Sequence, residues 1–168
     1  MFWVLKKSLK TGVVTGQFPE ADSTHHIEIS KEAREKAKPF RKSLTIREVD
    51  TGSCNACEME MNALANPVYD VDRFGVHIAA SPRHADVLVV TGPVTFNMEK
   101  PLKDVYKTTP DPKIVIALGD CANNCGVFKG SYGVTGPVDR HVPVDVRIPG
   151  CPPRPVEILK VLDDLRKP

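Results

Sequence analysis

LTIREVDTGSCNACEMEM, residues 44–61, runs from an apolar strand-like segment through a glycine-bearing loop into a helix-like one. LTIREVD (44–50) reads as a β-strand, and a helix is predicted over 56–65. The same alternation recurs downstream. VHIAA (76–80), ADVLVVTG (85–92), KIVIALGD (113–120) and VDVRIPG (144–150) read as four more strands, several rich in β-branched residues. Helices are predicted over about 98–108 and over 155–166. In the last, Ile158, Leu159, Leu162 and Leu165 form an apolar stripe and Pro155 suits a first turn. Strands alternating with helices predict an α/β fold with a mostly parallel five-stranded sheet covered on both faces.

Composition agrees with one soluble domain: 168 residues, 41% hydrophobic and 26% charged. Charge is uneven. Residues 1–42 hold nine Lys/Arg against five Asp/Glu, and 43–168 hold fourteen against sixteen. That balance offers no broad basic face for nucleic acid. No run approaches the roughly 20 apolar residues of a membrane span. MFWVLKKSLK lacks the features of a secretory signal, so a cytoplasmic location is expected. Phe2, Leu5 and Leu9 recur at helical spacing among Lys6, Lys7 and Lys10, a pattern suited to a membrane interface or a partner subunit, with a frayed terminus as the plainer alternative. KEAREKAKPFRK (31–42) reads as a solvated helix or linker. The chain is therefore divided into a basic docking or membrane-interface segment, 1–43, and an α/β domain, 44–168.

Five cysteines in a reducing compartment point to metal binding or catalysis rather than to structural disulfides. Four follow C-x2-C-x63-C-x29-C: Cys54, Cys57, Cys121 and Cys151, with Cys125 as an extra. Laid on the predicted strands, Cys54, Cys121 and Cys151 each fall just beyond a strand. The carboxyl ends of parallel strands share one edge, where ligands bind. Three loops therefore deliver four thiols to one place. Gly52, Gly119 and Gly150 permit tight turns and close approach there, and CPPRP stiffens the last loop. Structural zinc usually takes two short knuckles close in sequence, and a redox CxxC leaves Cys121 and Cys151 without a role. The spacing favours an iron–sulfur cluster of the cubane type, with zinc and a redox disulfide as open alternatives. There is no GxGxxG, phosphate loop or Ser-His-Asp arrangement.

TGSCNACEMEMNAL, SPRHADVLVVTGPVT, GDCANNCGVF and VPVDVRIPGCPPRP resemble the small subunit of membrane-bound, energy-converting [NiFe] hydrogenases, including formate hydrogenlyase. That subunit shares a family with the 20 kDa subunit of respiratory complex I. The resemblance covers about residues 44–166. It implies a flavodoxin-like three-layer sandwich holding one [4Fe–4S] cluster on Cys54, Cys57, Cys121 and Cys151. The implied partners are a large catalytic subunit, ferredoxin-like iron–sulfur subunits and integral membrane subunits, on the inner face of the cell membrane. Complex I subunits carry adjacent cysteines where this chain has a separated pair, so the resemblance favours the hydrogenase branch over a quinone reductase. A related sulfane reductase stays open, as does a zinc-stabilised module without redox activity.

Further residues follow from the match. Arg83, in SPRHAD, matches an arginine that lies close to the cluster in relatives, where its charge would raise the cluster potential. His84 is read either as coupling a proton to cluster charge, as histidine side chains can near neutral pH, or as a simply hydrogen-bonded residue. Arg154 would brace the cluster loop or pair with the partner. Glu58 and Glu60 suit either a proton relay or stabilisation of a helix start. Met59 and Met61 are expected to pack in the core or an interface. Relatives mostly have a small residue, usually glycine, where this chain has Cys125; four positions past Cys121 it is a competing candidate ligand, and it is expected instead to be a buried free thiol near the cluster. His25, His26, His77 and His141 show no ligand spacing and are read as structural.

Overall fold

Residues 2–11, 27 and 29–167 are described by a computed structural model of the chain; His25 and His26 lie outside them. Two helices come first, α1 (Phe2–Thr11) and α2 (Lys31–Ala37). Then follow β1 (Leu44–Asp50), α3 (Ala56–Ala63), β2 (Val76–Ile78), β3 (Val87–Thr91), β4 (Val94–Thr95) and α4 (Phe96–Thr108). The chain continues through β5 (Ile114–Leu118), α5 (Gly119–Asn124), β6 (Val134–Gly136), β7 (Val146–Ile148) and α6 (Pro155–Arg166).

Five strands form one sheet in the order β2-β1-β3-β5-β7, every pair parallel. This is the flavodoxin-like order, in which the direction of winding reverses between β1 and β3. Side-chain alternation builds the layers. Leu44, Ile46, Val87, Val89, Ile114, Ile116 and Leu118 face a core shared with Met61 of α3 and Ile158, Leu159 and Leu162 of α6. Val49, Leu88, Val90, Val115 and Ala117 face the opposite core, with Leu102 of α4 and Ala122 of α5. The α/β expectation and the five predicted strands are all present, with strand ends one or two residues inside several of the quoted segments.

Three features depart from the reading of the sequence. The segment after KIVIALGD is a helix, α5, that starts on the residue following β5. Gly119 makes that junction possible with φ +86, and Asn123 Nδ2 ties the helix to the carbonyls of Gly119 (2.9 Å) and Ile148 (3.2 Å). A second, two-stranded antiparallel sheet pairs β4 with β6, and its strands are too short to show a period. The charged run 31–42 is helical at its start but is not solvated all round. Ala33 and Ala37, four residues apart, are buried in the main core, and Lys36 pairs with Asp145.

Candidate metal centre

Thr51, at the end of β1, anchors the first loop. Its hydroxyl donates to the carbonyl of Thr91 at 2.8 Å, with those of Gly92 and Pro93 at 3.1 and 3.3 Å. Asp50 Oδ1 accepts from the amides of Gly52 and Ser53, both at 2.8 Å, and Ser53 Oγ accepts from the amide of Asn55. A β-carbon on Gly92, at the end of β3, would lie 2.4 Å from the Ser53 nitrogen. The loop is therefore pressed into the crevice between β1 and β3, the winding reversal. Asn55 turns the chain at φ +70 into α3, whose first turn carries Cys57.

The second and third loops are fastened to each other. Asp120 donates its amide to the Gly150 carbonyl at 2.8 Å, and its carboxylate accepts the Gly150 amide at 2.9 Å. Cys121 in α5 and Cys151 after β7 flank this clamp. Glycines make room at the sulfurs. A β-carbon on Gly119 would stand 2.7 Å from Cys57 Sγ, and one on Gly126 would stand 3.0 Å from Cys121 Sγ.

Cys54, Cys57, Cys121 and Cys151 converge closely enough to act on one another. The Cys57 thiol is pushed up to about 12, first by burial, then by the charges of Glu58, Cys121, Cys54 and Cys151. Cys121 is also raised, by burial and then by Cys151 and Cys54. Cys57 and Cys121 are nearly buried, whereas Cys54 and Cys151 are exposed. Among the described residues no three His, Cys, Asp or Glu side chains are placed to hold a single metal ion. Cys125 belongs elsewhere. It closes α5 in the left-handed region at φ +70, and the charges acting on its buried thiol are Arg140, Lys129 and Asp139. Positive φ favours glycine, which accounts for the residue expected there from the resemblance.

Glu58 stands beside the thiols, buried, with neither carboxylate oxygen hydrogen-bonded. Its charge helps raise Glu48 on β1, whose carboxyl is lifted first by burial and which accepts from Thr91 Oγ1. Glu60 is half-buried and Met61 joins the core. Arg83 and His84 are not brought to the cysteines. They sit exposed on a single turn, Pro82–His84, that leads into β3 rather than out of it. Arg154 caps α6, its amide donating to Glu157 Oε2, with its side chain exposed. His77 pairs with Asp72, and His141 bonds Thr135, both away from the thiols. Thr51 and Asp120 were not singled out by the sequence, which carries no local signal for their long-range bonds. On the same edge as Cys54 and Cys151, the segments that follow strand ends expose Met59 of α3, Phe96 at the start of α4, and Val127 and Tyr132 after α5.

Fold and site together define an α/β subunit whose thiols gather at the carboxyl edge of a parallel sheet. The chain belongs to the family described as NADH ubiquinone oxidoreductase, 20 Kd subunit, which matches residues 54–165. Members are parts of oxidoreductase complexes, so the chain is a non-autonomous subunit of such a complex. It is 49% identical over 131 residues, 78% of each chain, to the probable membrane-bound hydrogenase subunit mbhJ of Pyrococcus furiosus. It is 47% identical over 122 residues to formate hydrogenlyase subunit 7 of Escherichia coli, covering 73% of this chain and 48% of that one. Among solved structures, a chain of the membrane-bound sulfane sulfur reductase, an archaeal respiratory membrane complex, superposes with TM-score 0.66 at 35% identity over 79% of this chain and 75% of that one. A chain of an NAD+-reducing [NiFe]-hydrogenase shares the fold, with TM-score 0.58 at 19% identity over 74% of this chain and 91% of that one.

Proposed function

We propose that this chain is the electron-transfer subunit of a membrane-bound [NiFe] hydrogenase-type complex, with one [4Fe–4S] cluster held by Cys54, Cys57, Cys121 and Cys151 beside the large catalytic subunit. The observation that carries this reading is the gathering of four thiols from three strand ends, with Cys54 and Cys151 acting on both Cys57 and Cys121, while the fifth, Cys125, faces other charges. The donor set fits such a cluster. Four thiols are the ligands it takes, and the glycine-lined approaches to Cys57 and Cys121 leave room for a bulky guest. When bound, a cluster of this kind supplies one-electron transfer without making or breaking a substrate bond.

The chain's own residues set the conditions. Burial and the neighbouring Glu58 push the Cys57 thiol up, and Thr51 and the Asp120–Gly150 clamp hold the loops that carry the sulfurs. Glu58 keeps a carboxylate beside Cys57 with no partner of its own, which suits a donor from another subunit. The rim of Met59, Phe96, Val127 and Tyr132 suits the large subunit, which would stand on the acceptor side. Ferredoxin-like iron–sulfur subunits would stand on the donor side, with integral membrane subunits anchoring the whole. A second reading, a subunit of a sulfane sulfur reductase, is favoured by the likeness to that complex.

Purification without oxygen, with iron, sulfide and zinc analysis and paramagnetic resonance of the reduced protein, tests the cluster. Four irons and four sulfides per chain are expected. Serine at Cys54, Cys57, Cys121 or Cys151 is expected to lower iron content, and Cys125→Ala to retain it; zinc in place of iron would end the proposal. Hydrogen evolution by the co-expressed complex separates the hydrogenase reading from the sulfane reductase one.

A further inference from the structure

Helix α1 lies outside the family match, which begins at residue 54, and carries no cysteine. FWVLKKSLKT contains three lysines and no acid. Phe2, Trp3 and Leu9 are exposed, as are Lys6, Lys7 and Lys10. At 3.6 residues per turn, Leu9, Phe2, Lys6, Lys10, Trp3 and Lys7 follow one another around about half of the helix. Apolar and basic side chains are thus interleaved on the exposed side. A protein groove reads a helix through one apolar stripe, whereas Trp3 lies off the Phe2–Leu9 side of this helix, between Lys10 and Lys7. The headgroup zone of a bilayer accepts the mixture. Lysine stems lie along apolar surface while their ammonium groups reach outward, and tryptophan settles at that level. Lys7 Nζ already stands 5.0 Å from the Trp3 ring centroid. Ten residues make a helix about 15 Å long, half of a hydrocarbon core of about 30 Å. The described length suits a helix that lies on a membrane.

We infer that α1 is an interfacial helix that binds an anionic lipid surface, with Lys6, Lys7 and Lys10 on the phosphates and Phe2, Trp3 and Leu9 at the boundary with the acyl chains. The names of similar proteins as parts of membrane-bound assemblies accord with this. None of these residues is a thiol, so the inference stands apart from the cluster.

Trp3 is the only tryptophan in the chain, and its fluorescence therefore reports on α1 alone. The full chain is mixed with vesicles of phosphatidylcholine, with or without phosphatidylglycerol. A blue shift and co-sedimentation are expected with the anionic vesicles. Each lysine is expected to contribute about five-fold in affinity, so Lys6→Gln, Lys7→Gln and Lys10→Gln together cost about a hundred-fold. Added salt should weaken binding of the unaltered chain in the same direction, a readout that needs no variant. Cys54→Ser is expected to lose iron yet bind vesicles as before, which keeps the two proposals separable. Binding to neither vesicle, equal binding to both, or full retention by the triple variant overturns the inference. So does a Trp3 shift produced by the large subunit without lipid, which assigns this side of α1 to a protein.

Discussion

Gly119 and Gly130 hold nearly the same backbone conformation, φ +86 and +84, but a β-carbon on Gly119 meets Cys57 Sγ at 2.7 Å and one on Gly130 meets nothing within 4 Å. Alanine at either position pays the left-handed cost of about 1–2 kcal/mol. Gly119→Ala is expected to displace the Cys57 sulfur as well. Both variants should lower the denaturation midpoint, and only Gly119→Ala should lower iron content; equal iron in the two would mean that Gly119 serves the turn alone. The sequence marks Gly119 by its place after a strand, but the identity of its neighbour depends on a residue 62 positions earlier. Glu48 makes a separate prediction. Burial raises its carboxyl above the ordinary 4.5, the Thr91 hydroxyl opposes this, and Glu58 and Asp50 add to it. Between 4.5 and the raised value the folded chain holds the proton that the unfolded chain has lost. This contribution to stability therefore falls as pH rises through that window and is level above it. Glu48→Gln, which can still accept from Thr91, is expected to unfold at a higher temperature than the parent from about pH 5 to about pH 8, with the gap closing on acidification. A gap that widens in acid contradicts this account.

At the scale of elements, α2 is the sharpest case. Ala33 and Ala37 enter the main core, where α2 packs against α6, while Glu35 is exposed and pairs with Lys38. Ala37→Glu would bury an unpaired charge and is expected to cost several kcal/mol, much of a typical domain's stability. Glu35→Ala is expected to change stability by less than about 1 kcal/mol. Urea denaturation distinguishes them, and similar midpoints would mean that α2 does not dock. Charge density hides the docking of this segment, read from the sequence as a solvated helix or linker, because two alanines are its buried face. The five strands of the main sheet are legible for the opposite reason. IVIAL and VLVVT are short β-branched runs closed by glycine, a pattern that little besides a buried strand satisfies. β4 and β6 escape because two or three residues carry no period, and α5 escapes because a glycine joins it to β5 with no intervening turn. The cysteines themselves were readable, since position after a strand is a property of sequence. The Asp120–Gly150 clamp and the Thr51 bonds were not, because they span 30 and 40 residues.

Taken whole, the molecule places its exposed large apolar side chains unequally. Phe96 opens α4 just beyond β3, its amide bonded to the Gly133 carbonyl, so Tyr132 and Val127 lie on the neighbouring loop and Met59 follows Cys57. Val68, also exposed, lies beyond the far end of α3, toward the amino edge of the sheet. If the carboxyl edge is where the large subunit docks, Phe96 and Tyr132 are its natural anchors, since aromatic residues carry a disproportionate share of interface energy. The double variant Phe96→Ser, Tyr132→Ser removes no buried side chain and is expected to keep its iron and its unfolding midpoint. Its affinity for the large subunit is expected to fall by at least about thirty-fold, from roughly 2 kcal/mol or more at the pair. The same variant should aggregate less when made alone, because the apolar patch is smaller. Val68→Ser changes a residue of similar exposure at the other end and is expected to leave assembly intact. Pull-down of the co-expressed large subunit gives the comparison. Loss of assembly with Val68→Ser and retention with the aromatic pair would place the partner on the amino edge, too far from the thiols for a direct electron path.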